Sequence, residues 1–273
     1  MGKVKIIAEI GINHNGDVKT AKKLIDAACL AGCDYVKFQK RNPDLCVPEH
    51  QKNAPKATPW GNMTYLEYKH KIEFGRKEYE EIFDYCNKKE IKCFASVWDI
   101  DSVDFMFKYI DIAKIPSALI TNLDLCEYAR MKNEELLIST GMSTEEEIEQ
   151  CVTACSPDVI FHTNSTYPSP VSELNLSYIS WLKEKYPYST IGYSGHEYGL
   201  VPTFVAVVMG AEYIERHITL DRTMWGSDQM ASVEPAGLMK MTKAIRDVEL
   251  SIGDGGPRKL LEGEKSKRET LRK

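Results

Sequence analysis

At 273 residues with 43% hydrophobic content, the chain has material for one barrel-sized domain and a substantial core. A net charge of −5 argues against a general nucleic-acid binder, which would show a basic face. No apolar run approaches the ~20 residues that span a bilayer, and the N-terminus enters its first apolar run without a signal-peptide pattern, so a soluble cytoplasmic protein is expected.

Eight short apolar runs recur along the chain, each ending in a polar or ionisable side chain: IIAEIG, YVKFQ, IKCFASV, DIAKIPS, LLIST, VIFHTN, TIGYSG and YIERHI. Strands that are hydrophobic in the middle and chemically loaded at the C-terminal end describe a parallel sheet with a site along one rim. Asp17 caps a predicted helix through TAKKLIDAACLAG that stops at Gly32, and YVKFQ follows to complete a βαβ unit. Residues 41–71 then carry four prolines and several aromatic side chains, and read as one long loop. Loops of that length usually do something, and here a lid over the site is expected.

Helix and strand alternate regularly afterwards. Ser143 or Thr144 with Glu146 or Glu147 predicts a capping box for the helix STEEEIEQCVTAC. The helix LVPTFVAVVMGA is apolar nearly all round, which predicts deeper burial or a second subunit against it. PAGLMKMTKAIRDVELSIG supplies the closing helix, and the Lys- and Arg-rich tail reads as a solvated end. Strict alternation over eight units predicts an α/β fold, a single-domain (β/α)8 TIM barrel over residues 1–273. An open doubly wound sheet is the alternative, with no GxGxxG fingerprint in its favour. The eight cysteines fall within predicted helices and strands without a CxxC pair, so free, mostly buried thiols are expected rather than disulfides or a zinc knuckle.

The strand ends carry the chemistry. His196 and His217 end the seventh and eighth runs, which neighbour each other in a barrel, so two imidazoles can meet over one divalent cation, or can be satisfied structural histidines. Lys37 and Lys114 end the second and fourth runs. An ammonium group inside a barrel is costly to bury unless it meets an anion, and with hydroxyls from Ser117, Ser139, Thr140, Ser165 and Ser194 the pair would frame a phosphate and a carboxylate. A lysine there could instead form a Schiff base. Glu9, Glu215 and Asp228 supply carboxylates for metal, water or proton transfer.

Several segments go beyond pattern: AEIGINHNG at 8–16, VKFQ at 36–39, KIPS at 114–117, STGMST at 139–144, SGH at 194–196, ERHITLDRTMWGSD at 215–228 and ASVEP at 231–235. In this order, over essentially the whole chain, they resemble the sialic acid synthase family, the phosphoenolpyruvate-dependent synthases of nonulosonic acids. The resemblance implies the same barrel and a condensation of phosphoenolpyruvate with the open-chain aldehyde of a 2-acetamido sugar. By that resemblance His196 and His217 match the metal ligands, used with Mn²⁺ or Mg²⁺. Lys37, Lys114, Ser117, Ser139 and Ser194 match the phosphoenolpyruvate-binding positions, with Ser165 and Tyr167 in the strand-six motif. Asn62 matches an asparagine of the sugar loop, and Glu9 and Asp228 match acids near the metal, its water and the sugar. Homodimers are the family habit.

Three positions depart from the family pattern: Leu119 and Gly195, where acids are common, and Gln229, where a histidine is frequent. The chain also stops near RETLRK, where many members continue into an antifreeze-like domain that supplies an arginine to the partner's sugar site. The sequence is therefore read as lacking that domain, with Arg76, Arg222 and the terminal arginines as candidate replacements. A Schiff-base lyase and a non-catalytic sugar-binding barrel are the competing readings.

Overall fold

The chain is described here by a computed structural model covering residues 2–272. Its strands are β1 (Lys5–Gly11), β2 (Tyr35–Lys40), β3 (Pro55–Thr58), β4 (Gly61–Thr64), β5 (Lys92–Val97), β6 (Ile112–Ile115), β7 (Glu135–Ser139), β8 (Val159–Thr163), β9 (Thr190–Gly195) and β10 (Tyr213–His217). The α-helices are α1 (Val18–Ala31), α2 (Pro43–Cys46), α3 (Glu49–Lys52), α4 (Tyr65–Ile72), α5 (Arg76–Lys88), α6 (Ile100–Met106), α7 (Leu123–Lys132), α8 (Glu145–Cys155), α9 (Tyr178–Lys185), α10 (Val201–Val208), α11 (Pro235–Ser251) and α12 (Glu262–Leu271). Eight strands close into a parallel barrel in the order β1-β10-β9-β8-β7-β6-β5-β2. They are the eight apolar runs of the sequence. Because β1 pairs with both β2 and β10, the open-sheet alternative is excluded.

Local chemistry sets the element ends as expected. The Asp17 carboxylate accepts from the amides of Lys19 and Thr20, and Gly32 closes α1 with φ 79°, a left-handed conformation that suits glycine. Thr144 and Glu147 form the reciprocal capping box of α8. The period of two along the strands divides the core. Ile7, Tyr35, Phe94, Ile112, Leu137, Val159 and Phe161 point inward and plug the barrel's lower half. The alternate residues, among them Ile6, Val36, Ala95, Ile138 and Ile214, face the helices.

Two expectations need correction. Residues 41–71 are not a plain loop: they form α2, α3, the antiparallel β3–β4 hairpin and α4. Tyr68 and Ile72 pack with Ile12 and Trp225, and Trp60 meets Trp225 edge-on at 5.6 Å, so apolar contact with the barrel rim orders the segment. Helix α10 is not buried all round within the chain, since Val201 is 70% exposed and Val208 55%. The eight cysteines carry free thiols, five of them buried; Sγ of Cys151 lies 3.8 Å from that of Cys126 and 3.9 Å from that of Cys155. No helix among the described residues is long and apolar enough to cross a membrane.

Gly192 gives way to the Phe161 ring: a Cβ there would lie 2.7 Å from both Cδ1 and Cε1 of Phe161 and 3.0 Å from Cβ of Tyr213. We expect Gly192→Ala to lower stability by about 2 kcal/mol, the cost of overpacking a filled core, read from the urea midpoint at unchanged slope. A second expectation concerns acid. His14 is buried, stacks on Phe74 at 3.9 Å and accepts the Gly16 amide on Nδ1 at 3.0 Å; burial lowers its pKa from 6.5 to about 3. Between those values the unfolded chain binds a proton that the folded chain refuses, so stability falls as pH drops from 6.5 towards 3. In His14→Gln, the slope of unfolding free energy between pH 6 and 4 should shrink by about 1.4 kcal/mol per pH unit.

Candidate active site at the C-terminal rim of the barrel

Strand register alone gathers the loaded residues. Glu9 sits opposite His217 across β1 and β10 and opposite Lys37 across β1 and β2. Glu215 pairs with Ser194, and Lys114 with Ser96. All of these point inward just above the apolar plug. Together with Ser117, Ser139, Ser165, Tyr167 and His196 they line a cavity of about 200 Å³.

The floor of that cavity is a buried quartet of charges. The Lys37 ammonium lies 2.8 Å from Glu9 Oε2 and 3.7 Å from Glu215 Oε1, and donates to Ser96 Oγ at 2.8 Å. The Lys114 ammonium donates to both Glu215 oxygens at 2.8 Å and sits 4.2 Å over the Phe161 ring. Ser194 Oγ donates to Glu215 Oε1 at 3.1 Å. Burial opposes every charge here, and the partners decide which survive. For Glu215, burial is outweighed by the Lys114 and Lys37 ammonium groups, which hold its pKa at about 2. Burial raises Glu9 despite Lys37 beside it. It lowers Lys114 to about 8 against the pull of Glu215, whereas Glu215 and Glu9 together raise Lys37.

Above the quartet stand the imidazoles, with ring centroids 5.3 Å apart. His196 Nδ1 donates to the Asn164 carbonyl at 2.6 Å, because a carbonyl can only accept, and Nε2 keeps its lone pair. Burial lowers the His196 pKa to about 3, which keeps the ring neutral and able to ligate. Tyr167 stacks on it at 4.0 Å. His217 Nδ1 is buried without a hydrogen-bond partner, 3.8 Å from Asp228 Oδ2. An orphaned imidazole nitrogen beside a carboxylate is what a divalent cation would satisfy, so the pair fits one. Among the described residues no three His, Cys, Asp or Glu side chains converge into a complete ligand set, so a cation held by the pair would need water or substrate to complete its coordination.

Opposite the imidazoles, the turn after β7 comes close. The Gly141 amide donates to Ser117 Oγ at 3.1 Å. A Cβ at 141 would fall onto the Ser165 hydroxyl and lie 2.6 Å from Thr163 Cγ2, so only glycine lets the turn meet these hydroxyls.

The NeuB family profile matches residues 24–256. The chain belongs to the NeuB family. N,N'-diacetyllegionaminic acid synthase of Campylobacter jejuni is 36% identical over 265 residues, covering 93% of this chain and 79% of that protein. N-acetylneuraminate-9-phosphate synthase of Drosophila melanogaster is 37% identical over 256 residues, covering 91% of this chain and 68% of the fly protein. The crystal structure of N-acetylneuraminic acid synthetase from Leptospira borgpetersenii serovar Hardjo-bovis, in complex with citrate, matches with TM-score 0.86 at 32% identity, covering 99% of this chain and 93% of that one. These relatives are synthases, and this NeuB-family chain is an enzyme of their class.

Within the NeuB-family chain, ten of the twelve residues matched through the family resemblance line one cavity, and Glu215 lines it with them. Asp228 stands just behind it, against His217. Asn62 is exposed on the β3–β4 hairpin, and no residue of 41–71 lines the cavity. Arg76 is spent on Glu80 at 2.7 Å and Arg222 on the Ser232 carbonyl at 2.8 Å, both away from the cavity. Gln229 is fully buried, donating to the Asn13 carbonyl at 3.2 Å and accepting from Thr219. Sequence reasoning understated Glu215, the carboxylate shared by both lysines, and missed Gln39, Ser96 and Trp98. The period of two from Lys37 and from His217 points to Gln39 and Glu215. Arg41 also reaches the edge of the site, stacked 4.2 Å over Trp98 and bonded to Gln39.

Glu215→Gln tests the quartet. It leaves two buried ammonium groups facing one carboxylate, and we expect a loss of about 3 kcal/mol in unfolding free energy at pH 7. Because Lys114 can shed its proton, the deficit should shrink as pH rises from 7 to 9, which urea titrations at both values will show.

Proposed function

We propose that this protein condenses phosphoenolpyruvate with the open-chain aldehyde of a 2-acetamido sugar, N-acetylmannosamine or a relative, giving N-acetylneuraminate or another nonulosonic acid and inorganic phosphate. The observation that carries this reading is the meeting of a paired-ammonium floor and an imidazole pair in one cavity. Similarity to synthases of N,N'-diacetyllegionaminic acid and N-acetylneuraminate 9-phosphate supports the substrate class.

Lys37 and Lys114 would offset the charge of the enol phosphate and its carboxylate, with Ser117, Ser139 and Ser194 fixing orientation; such groups cost no reorganisation during the reaction. An incoming anion competes with Glu215 for Lys114, so the floor is already arranged for a negative group. A divalent ion, Mn²⁺ or Mg²⁺, on His196 and His217 would supply Lewis-acid polarisation of the aldehyde oxygen. C3 of phosphoenolpyruvate then bonds to the aldehyde carbon and water adds at C2. The resulting hemiketal phosphate expels phosphate, leaving a 3-deoxy-2-keto acid. Glu9, paired with Lys37 and with its basicity raised by burial, would take the proton of that water. Asp228 orients His217, and Tyr167 holds His196 by stacking. Asn62 would need the hairpin to swing inward to touch the sugar. The exposed Val201, Val205 and Val208 of α10 support a homodimer, and a cytoplasmic location fits a reaction drawing on phosphoenolpyruvate.

One observation favours a Schiff-base lyase as the second reading: an amine at about 8, as for Lys114, is a workable nucleophile. Its two hydrogen bonds to the Glu215 carboxylate argue the other way. Borohydride with pyruvate should leave no covalent adduct on Lys114 or Lys37.

The deciding assay is phosphate release from phosphoenolpyruvate with N-acetylmannosamine, its 6-phosphate and a bacillosamine-derived sugar. We expect release with at least one of them, stopped by EDTA and restored by Mn²⁺ or Mg²⁺, and a loss of at least ~100-fold in kcat/KM for His217→Ala. Release that persists in EDTA would count against the metal role.

A further inference from the structure

The two imidazoles face the cavity, and on the other side of the barrel wall a buried charge pair lies behind them. Along β10 side chains alternate, so Glu215 and His217 point in and Arg216 points out under the helices, where it is 1% exposed. Its Nη1 donates to Glu197 Oε1 at 2.9 Å, to the Gly199 carbonyl at 3.0 Å and to Thr203 Oγ1 at 2.7 Å, and Nη2 donates to the Glu197 carbonyl at 2.6 Å. The Tyr193 hydroxyl donates to Glu197 Oε2 at 2.9 Å. Glu197 follows His196 in the chain and Arg216 precedes His217. The residues next to both imidazoles are thus clasped to each other.

The origin of the carboxylate is unusual. Arg216 lies directly opposite Gly195 in the β9–β10 ladder. A Cβ on Gly195 would lie 2.6 Å from Glu197 Oε2 and 3.1 Å from Oε1. The Glu197 carboxylate therefore folds back into the space that a side chain at 195 would fill. A carboxylate grown from 195 would face the same guanidinium.

We propose that Arg216 and Glu197 are positioning residues, a buried pair outside the barrel that sets the spacing of His196 and His217 inside it, with the acid delivered from position 197 into the room Gly195 leaves. The inference rests on reading the two histidines as a metal pair. A buried ion pair adds little net stability over well-packed apolar groups, whereas its directional bonds hold geometry. The guanidinium fork makes four such bonds to the segment from Glu197 to Thr203, which a lysine cannot copy.

The test uses the full chain, with Mn²⁺ affinity read by electron paramagnetic resonance of free Mn²⁺ and kcat and KM read by phosphate release. Glu197→Ala and Arg216→Lys should each weaken Mn²⁺ binding about tenfold or more, as do changes to groups that orient metal ligands. Gly195→Asp alone should also weaken it, because the new side chain meets the Glu197 carboxylate. The double variant Gly195→Asp/Glu197→Ala should bind Mn²⁺ more tightly than either single variant, since the acid returns from the other position. If Glu197→Ala does not fold, Glu197→Gln, equal in size, is read the same way. Folded Glu197→Ala or Glu197→Gln protein binding Mn²⁺ within twofold of wild type overturns the proposal, as does a double variant no tighter than Glu197→Ala. Should wild type bind no Mn²⁺ yet release phosphate in EDTA, the metal reading falls. The clasp then stands or falls on whether kcat for Arg216→Lys and Glu197→Gln drops. A wild type that neither binds Mn²⁺ nor releases phosphate overturns both.

Discussion

The structure depends on a charge balance struck inside a dry barrel. Two ammonium groups and two carboxylates sit on a plug of Ile, Leu, Val and aromatic side chains, where an unpaired charge would be very costly. Pairing makes them tolerable, and the pairing is specific. Lys114 is shared with one carboxylate through both its oxygens, while Lys37 touches two. The floor is neutral as a whole yet lined with donors, so an anion can enter by replacing one interaction with another. The same floor underlies His217, since Glu9 is its register partner and Glu215 shares its strand.

Most of the fold was legible because parallel barrels write themselves as repeated apolar runs with polar ends. All eight runs are strands, and the caps at Asp17, Gly32 and Thr144 fall where their chemistry requires. The hairpin inside 41–71 was hidden because its strands are four residues long and largely exposed, which leaves no hydrophobic period to read. The uncovered face of α10 was hidden for a different reason. Composition says that a helix is apolar, and only geometry says whether its own chain covers it.

Within the site, residues at strand ends could be read from sequence, and residues defined by what they touch could not. Lys37, Lys114, His196 and His217 announce themselves as costly groups in apolar runs. Glu215 sits in the same run as His217, but its sharing between two lysines depends on two strands far earlier in the chain. Arg216 looked like one more polar residue of YIERHI. Its role outside the barrel follows from the alternation of side chains, and its partner at 197 from a glycine two residues earlier.

The order of the strands also bears on how such a protein comes into being. Glu9 and Lys37 belong to neighbouring strands near the start, whereas Glu215, the carboxylate that accepts from Lys114, arrives on the last strand to join, and β10 must reach back to β1 across some two hundred residues. A nascent chain that has made nine strands holds Lys114 without its counter-ion, so the interior reaches electrical neutrality only on final closure. Assembly and the readiness of the cavity thus become one event.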